Sequence, residues 1–178
     1  MTQRDQLIVR IKSQKEAVSE PTKPVVSLEE FFEGNDDYAS IGCNLDGPYG
    51  EPPPDTRGWL RRMLHPGPPH PKLPYPVPTA PHPGPQGFYE VLKAVRERAD
   101  VQDVLVEIDD LNGADSAGST DWLFSEVVYV LTRAPIQDIQ AWAAALFPDE
   151  IQEGYFGDKP FHAPELLPGY QVYALWWD

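Results

Sequence analysis

The stretch EVVYVLT, residues 126–132, is the strongest constraint on what this chain can become. Val127, Val128, Val130 and Leu131 surround Tyr129 with no polar alternation, so neither face of an extended segment here suits water. β-Branched and aromatic side chains also fit a pleated backbone better than a helix. The reading is a central strand, covered on both faces or otherwise well shielded, and the other elements must supply the cover.

Such elements are legible on either side. GFYEVLKAVRERAD, 87–100, spaces Phe88, Val91, Leu92, Val95 and Ala99 along one face of a helix. IQDIQAWAAAL, 136–146, does the same with Ile136, Ile139, Trp142, Ala143 and Leu146, behind Pro135 at a helix start. VQDVLVEIDD, 101–110, alternates Val104, Val106 and Ile108 with Asp103, Leu105 and Glu107, the period of a half-buried strand. In VVSLEEFFEGNDD, Ser27 and Glu30 form a capping-box pattern that predicts a short helix over 28–33, stapled by Val26 and Phe31 and stopped at Gly34. SIGCNL, 40–45, reads as a short buried strand. PDEIQEGY, 148–155, reads as a further turn of helix stopped by Gly154, and YQVYALWWD as the closing strand. The aromatics Phe31, Phe32, Trp122, Phe124, Tyr129, Trp142 and Phe147 are expected to build the core.

Strand, helix, strand, strand, helix, strand is the order of a ferredoxin-like βαββαβ sandwich. The fold class is therefore expected to be α+β, a four-stranded antiparallel sheet with two helices on one face. That plan centres SIGCNL and EVVYVLT and leaves the other two strands at the edges. Between the first strand and the first long helix runs a connection, 46–85, ending in LHPGPPHPKLPYPVPTAPHPGP. Proline has no amide donor, so this part cannot continue a helix or a central strand. It reads as a proline-rich insertion in one domain spanning 25–178, not as a linker between two. Residues 1–24 end in the proline-marked EPTKP and are expected to be a flexible or weakly helical lead-in.

The formal net charge is −14, from 28 acidic and 14 basic residues. Residues 1–24 contribute +2 and 46–85 contribute +1, so by subtraction the remainder carries −17. A surface of that sign repels nucleic acid and anionic lipid, and suits a basic protein partner. Cys43 is the single cysteine, so no intrachain disulfide can form. The opening MTQRDQLIVRIKSQK has only Leu7 to Val9 as an apolar run, far short of a signal-peptide core. No stretch approaches the roughly 20 apolar residues of a membrane span. A cytoplasmic protein is the expectation.

No set of residues announces catalysis, a metal or a cofactor. His65, His70 and His82 each precede a proline, and together with His162 they lack the short, rigid spacing of a zinc site. Cys43, on a buried strand in acidic surroundings, lacks the positive neighbours that a thiolate nucleophile needs. DDLNGADSAGSTD departs from the ligand spacing of a calcium loop. Asp36, Asp37, Glu107, Asp109 and Asp110 are instead expected to form an acidic rim, with Tyr173, Trp176 and Trp177 as aromatic anchors beside it. Alternate residues of the closing strand take opposite faces, so one of Trp176 and Trp177 should lie near the surface. The proline segment either packs on these rings or is read by a partner.

As a set, VVSLEEFFEGNDDYASIGCNL, VLVEIDD, VVYVLT and VYALWWD resemble small stand-alone bacterial proteins usually left as hypothetical. Proteins of this acidic, single-domain kind include immunity proteins that neutralise toxins delivered between competing bacteria. The resemblance covers residues 25–45 and 86–178. It implies a non-enzymatic binding module that occludes a basic toxin domain. Two alternatives stay open on the residues. One is a small metal-dependent hydrolase using Asp36, Asp37, Glu107 and Asp109; the other is a regulatory or structural dimer joined through edge strands.

Overall fold

The computed structural model describes residues 1–17, 22–37, 40, 41, 49, 50, 80, 81, 83–109, 111 and 113–177. It is an α+β fold. The main sheet holds β1 (Val25–Ser27), β4 (Val101–Glu107), β5 (Val127–Thr132), β6 (Glu150–Glu153) and β7 (Gln171–Trp176), in the order β1-β4-β5-β7-β6 and antiparallel throughout. Two short segments, β2 (Tyr49–Gly50) and β3 (Ala80–Pro81), pair in parallel apart from it. The helices among the described residues are α1 (Gln3–Ala17), α2 (Leu28–Phe32), α3 (Gly84–Arg96) and α4 (Ile136–Ala143), the last running into a 3-10 turn at Ala144–Leu146.

Every residue of β5 is buried, as its apolar run requires. Val128 and Val130 face the helices, meeting Phe88, Leu92 and Ile139 in the main core. Tyr129 and Leu131 face the other way, packed with Leu105, Val172 and Ala174 beneath Tyr155, Phe156 and Ala163. The second cover is thus a segment of irregular chain after β6, which the ferredoxin-like plan does not contain. α2 forms as its capping box demands: Ser27 Oγ accepts the Glu30 N–H at 3.3 Å, and Glu30 Oε2 accepts the Ser27 N–H at 2.9 Å.

Four expectations are corrected. The four-stranded ferredoxin-like order does not occur, because the sheet has five strands and β4 and β7 take the two sides of β5. A fully buried strand needs apolar neighbours on both faces, and β7 sets Val172 and Ala174 on one face and Tyr173 and Leu175 on the other. Of SIGCNL, Ser40 and Ile41 are described; Ile41 makes an isolated parallel bridge to Ser125 and joins no strand of the main sheet, while Gly42 to Leu45 lie outside the described residues. The expected helical turn in PDEIQEGY is the strand β6, because pairing with β7 seats Ile151 opposite Leu175 against the helix-side core. Long-range pairing overrides local helix preference here. Phe147, expected in the core, is 40% exposed in left-handed backbone with φ 46°.

The fourth correction concerns the N-terminus, which is helical, as one of the two expectations had it, but is packed on the domain and is no loose lead-in. Leu7, Ile8 and Ile11 of α1 lie on one helical face and are buried in the main core. Arg4 anchors the same face, its Nε donating to the Asp121 carbonyl at 2.7 Å and its Nη2 to the Ala114 carbonyl at 2.6 Å.

α2 and α3 are clamped by Arg96, whose Nη1 donates to Glu29 Oε2 at 2.7 Å and whose Nη2 donates to Oε1; the Tyr89 hydroxyl adds a bond at 3.3 Å. The guanidinium holds the Glu29 carboxyl down to about 2, from an ordinary 4.5. A carboxyl depressed in the folded state stabilises above its unfolded pKa, and that contribution is lost as pH falls through the folded one. Glu29→Gln should therefore flatten the acid side of the stability curve between those two values and lower its neutral limb by a constant amount, read as urea midpoints against pH. Because the Glu29 side chain is 42% exposed, the loss at neutral pH should stay within about 1 kcal/mol.

Candidate functional site

Two places gather chemistry-bearing side chains. The first is interior. Glu107 ends β4 on the face roofed by Tyr155 and Phe156, and is only 2% exposed. The Tyr129 hydroxyl, on the neighbouring strand, donates to Glu107 Oε2 and accepts the Phe156 N–H at 3.3 Å. Lys23, arriving just ahead of β1, stands 3.5 Å from Glu107 Oε1 and pairs with Asp109 Oδ1. The other oxygen of Asp109 accepts the Glu126 N–H at 2.8 Å.

Burial pushes the Glu107 carboxyl above its ordinary range, against the opposing pull of Tyr129 and Lys23. Burial first, and then the bond to Glu107, pushes the Tyr129 hydroxyl up. Desolvation works against the charge of Lys23, but Asp109 and Glu107 outweigh it and hold the ammonium protonated. The Tyr155 ring meets Tyr129 edge-on at 5.0 Å, and its own hydroxyl is buried without a partner among the described residues. Each oxygen of Glu107 faces a protein donor, so the arrangement works as a latch holding the roof on the sheet.

The second place is the outer edge of β6. Its Glu150 and Glu153 are exposed, and Glu150 stands in register with Trp176. Trp176 is half-buried and tilted against Phe156 at 6.2 Å. Trp176, one of the expected anchors, therefore does stand beside a carboxylate, but the one in register with it is Glu150 and not a residue of the expected rim.

Of the expected rim, the fold brings Glu107 and Asp109 together through Lys23. It sets Asp37 elsewhere, accepting the Trp122 N–H at 3.1 Å, with Asp36 exposed beside it. Asp110 lies outside the described residues. Tyr173 is 1% exposed and Trp177 2%; the Trp177 indole donates to the Leu146 carbonyl at 2.8 Å and packs edge-on to Phe88. Both are core residues and cannot anchor a partner. Trp176 does lie nearer the surface, on the opposite face, as strand alternation requires. The sequence reading missed β6; Ile151 flanked by polar residues was the available signal, and the acidic flanks hid it.

His162 is exposed, at φ 69°, with its ring 4.2 Å from that of Phe161, while His65, His70, His82 and Cys43 lie outside the described residues. Among the described residues no group of three or more His, Cys, Asp or Glu is placed to hold a metal ion. None of their helices is long and apolar enough to cross a membrane.

Fold and surface together define an acidic α+β domain on a five-stranded antiparallel sheet. The chain belongs to the Uncharacterized protein YfbO family, matched over residues 2–65 and 76–175. It is 29% identical over 157 residues to the Uncharacterized protein YfbO of Escherichia coli (strain K12), covering 88% of this chain and 84% of that protein. No solved structure matches it. The family match begins at residue 2, so α1 lies within the shared region.

Proposed function

We propose that the protein is a non-enzymatic binding module that holds a basic protein partner on its acidic surface, in the manner of an immunity protein occluding a toxin domain. The observation that carries this reading is the use made of the cations. Of the ten lysines and arginines among the described residues, seven are held in ion pairs within the molecule: Arg4, Arg10, Lys12, Lys23, Arg96, Arg98 and Lys159. Lys93 and Arg133 lie over the Tyr89 and Tyr170 rings. Exposed carboxylates such as Asp36, Glu150, Glu153 and Asp158 are left to set the outward field. A field of one sign accelerates encounter with a partner of the other and rejects like-charged competitors.

Co-purification with the product of the neighbouring gene tests the reading, together with rescue of a strain expressing that product. The expected result is a complex whose association slows as salt is raised, because exposed charges are screened. No complex and no rescue together overturn it.

A further inference from the structure

We infer that the partner docks as an added strand on the outer edge of β6, and that the docking segment is extended and basic. The inference rests on the binding reading above and names the surface that reading leaves open. Among the described residues β6 ends the sheet on one side, paired with β7 alone. The Gly154 N–H donates to the Val172 carbonyl at 2.8 Å. An antiparallel ladder alternates, so Glu150 and Gln152 turn their peptide groups towards β7 while Ile151 and Glu153 turn theirs outward. Among the described residues nothing meets those outward donors and acceptors. They are the template that strand addition uses.

The open ladder carries the inference, and the side chains choose the occupant. Glu150 and Glu153 stand on opposite faces of the strand, three residues apart, with half-buried Ile151 between them. A second copy of this chain would bring a strand with the same two carboxylates alongside them, and like charges side by side on neighbouring strands are unfavourable. A segment with Lys or Arg at two positions three apart, and an apolar residue between them to cover Ile151, complements both faces. The half-buried rings of Trp176 and Phe156, on the Glu150 side, give the first of those cations an aromatic surface as well.

The test uses the full chain and a labelled, capped peptide of sequence TRTVRT, followed by fluorescence anisotropy at low salt. Three comparison probes accompany it: TETVET, TRTVRT with its edge-facing amides N-methylated, and poly-lysine. Binding of TRTVRT should fall at least about tenfold on N-methylation and by a similar factor in the E150K/E153K variant, which should in turn gain binding of TETVET. Equal binding of the methylated peptide overturns strand addition while leaving the acidic-surface reading intact, as does binding of poly-lysine without TRTVRT. Failure of poly-lysine as well removes both. Sedimentation that shows the chain pairing with itself, lost in E150K/E153K, would assign the edge to a second copy and overturn the basic partner there.

Discussion

Deleting residues 1–17 should abolish cooperative folding, and Ile11→Ala alone should cost about 2–5 kcal/mol. Ile11 has no exposure and sits in the main core with Leu7 and Ile8, so truncating it leaves a cavity that rigid neighbours fill only in part. Removing the whole helix would also uncover the apolar surface that those three residues cover, and would strip the Ala114 and Asp121 carbonyls of the Arg4 donors. In a chain of this size each kcal/mol moves Tm by roughly 2–4 °C, so Ile11→Ala should melt roughly 4–20 °C lower. Thermal and urea unfolding measure it. A truncated protein that melts cooperatively at the full-length midpoint would show that α1 is dispensable after all.

Tyr129→Phe is expected to cost roughly 2–4 kcal/mol at neutral pH, a large effect for one oxygen atom. That hydroxyl satisfies two groups at once, the buried Glu107 carboxylate as donor and the Phe156 N–H as acceptor. Without it the carboxylate keeps, among the described residues, only Lys23, and the roof over the second face loses its tie. The pH dependence identifies the cause. Glu107 has a folded pKa raised above its ordinary 4.5. Its contribution is therefore fully present below the unfolded pKa and is lost as pH rises through the folded one, the opposite sign to Glu29. Tyr129→Phe removes a bond that favours the ionised form, so the loss should steepen on the neutral side. Glu107→Gln removes the titration, and should flatten that limb while matching or exceeding the wild type at neutral pH, since the folded state disfavours the charge that Gln lacks. Urea midpoints across the acid-to-neutral range, with hydrogen exchange at the Phe156 amide, report both parts. A neutral Tyr129→Phe, or a Glu107→Gln profile that superimposes on the wild type, would show that the latch carries no energy.

Much of the fold was legible because it depends on neighbours a few residues apart. The capping box of Ser27 and Glu30, the helical spacing from Phe88 to Val95, the Ile139 and Ala143 face of α4 and the alternation of β4 and β7 are each set by the backbone period. The same alternation separated Trp176 from Trp177. The packing of α1 was not legible, because three apolar positions among charges, beside the exposed Val9, make a weak stripe that supports only a weakly helical reading; tertiary packing stabilises that helix. The candidate site was legible only as a type of residue. Carboxylates next to aromatics were foreseen, but Glu107 faces inward with Tyr129, and the outward pair is Glu150 and Glu153.

By itself, then, the sequence determined the α+β class, the burial of β5 on both faces and an acidic surface, since apolar periodicity and charge balance are properties of the chain before it folds. Only the tertiary structure decided that β4 and β7 flank β5, that 150–153 is a strand at the end of the sheet's described order and not a helical turn, and which carboxylates are latched inside. Strand partners are chosen by contacts between residues far apart in the chain, and a four-residue segment has too little local preference to resist them.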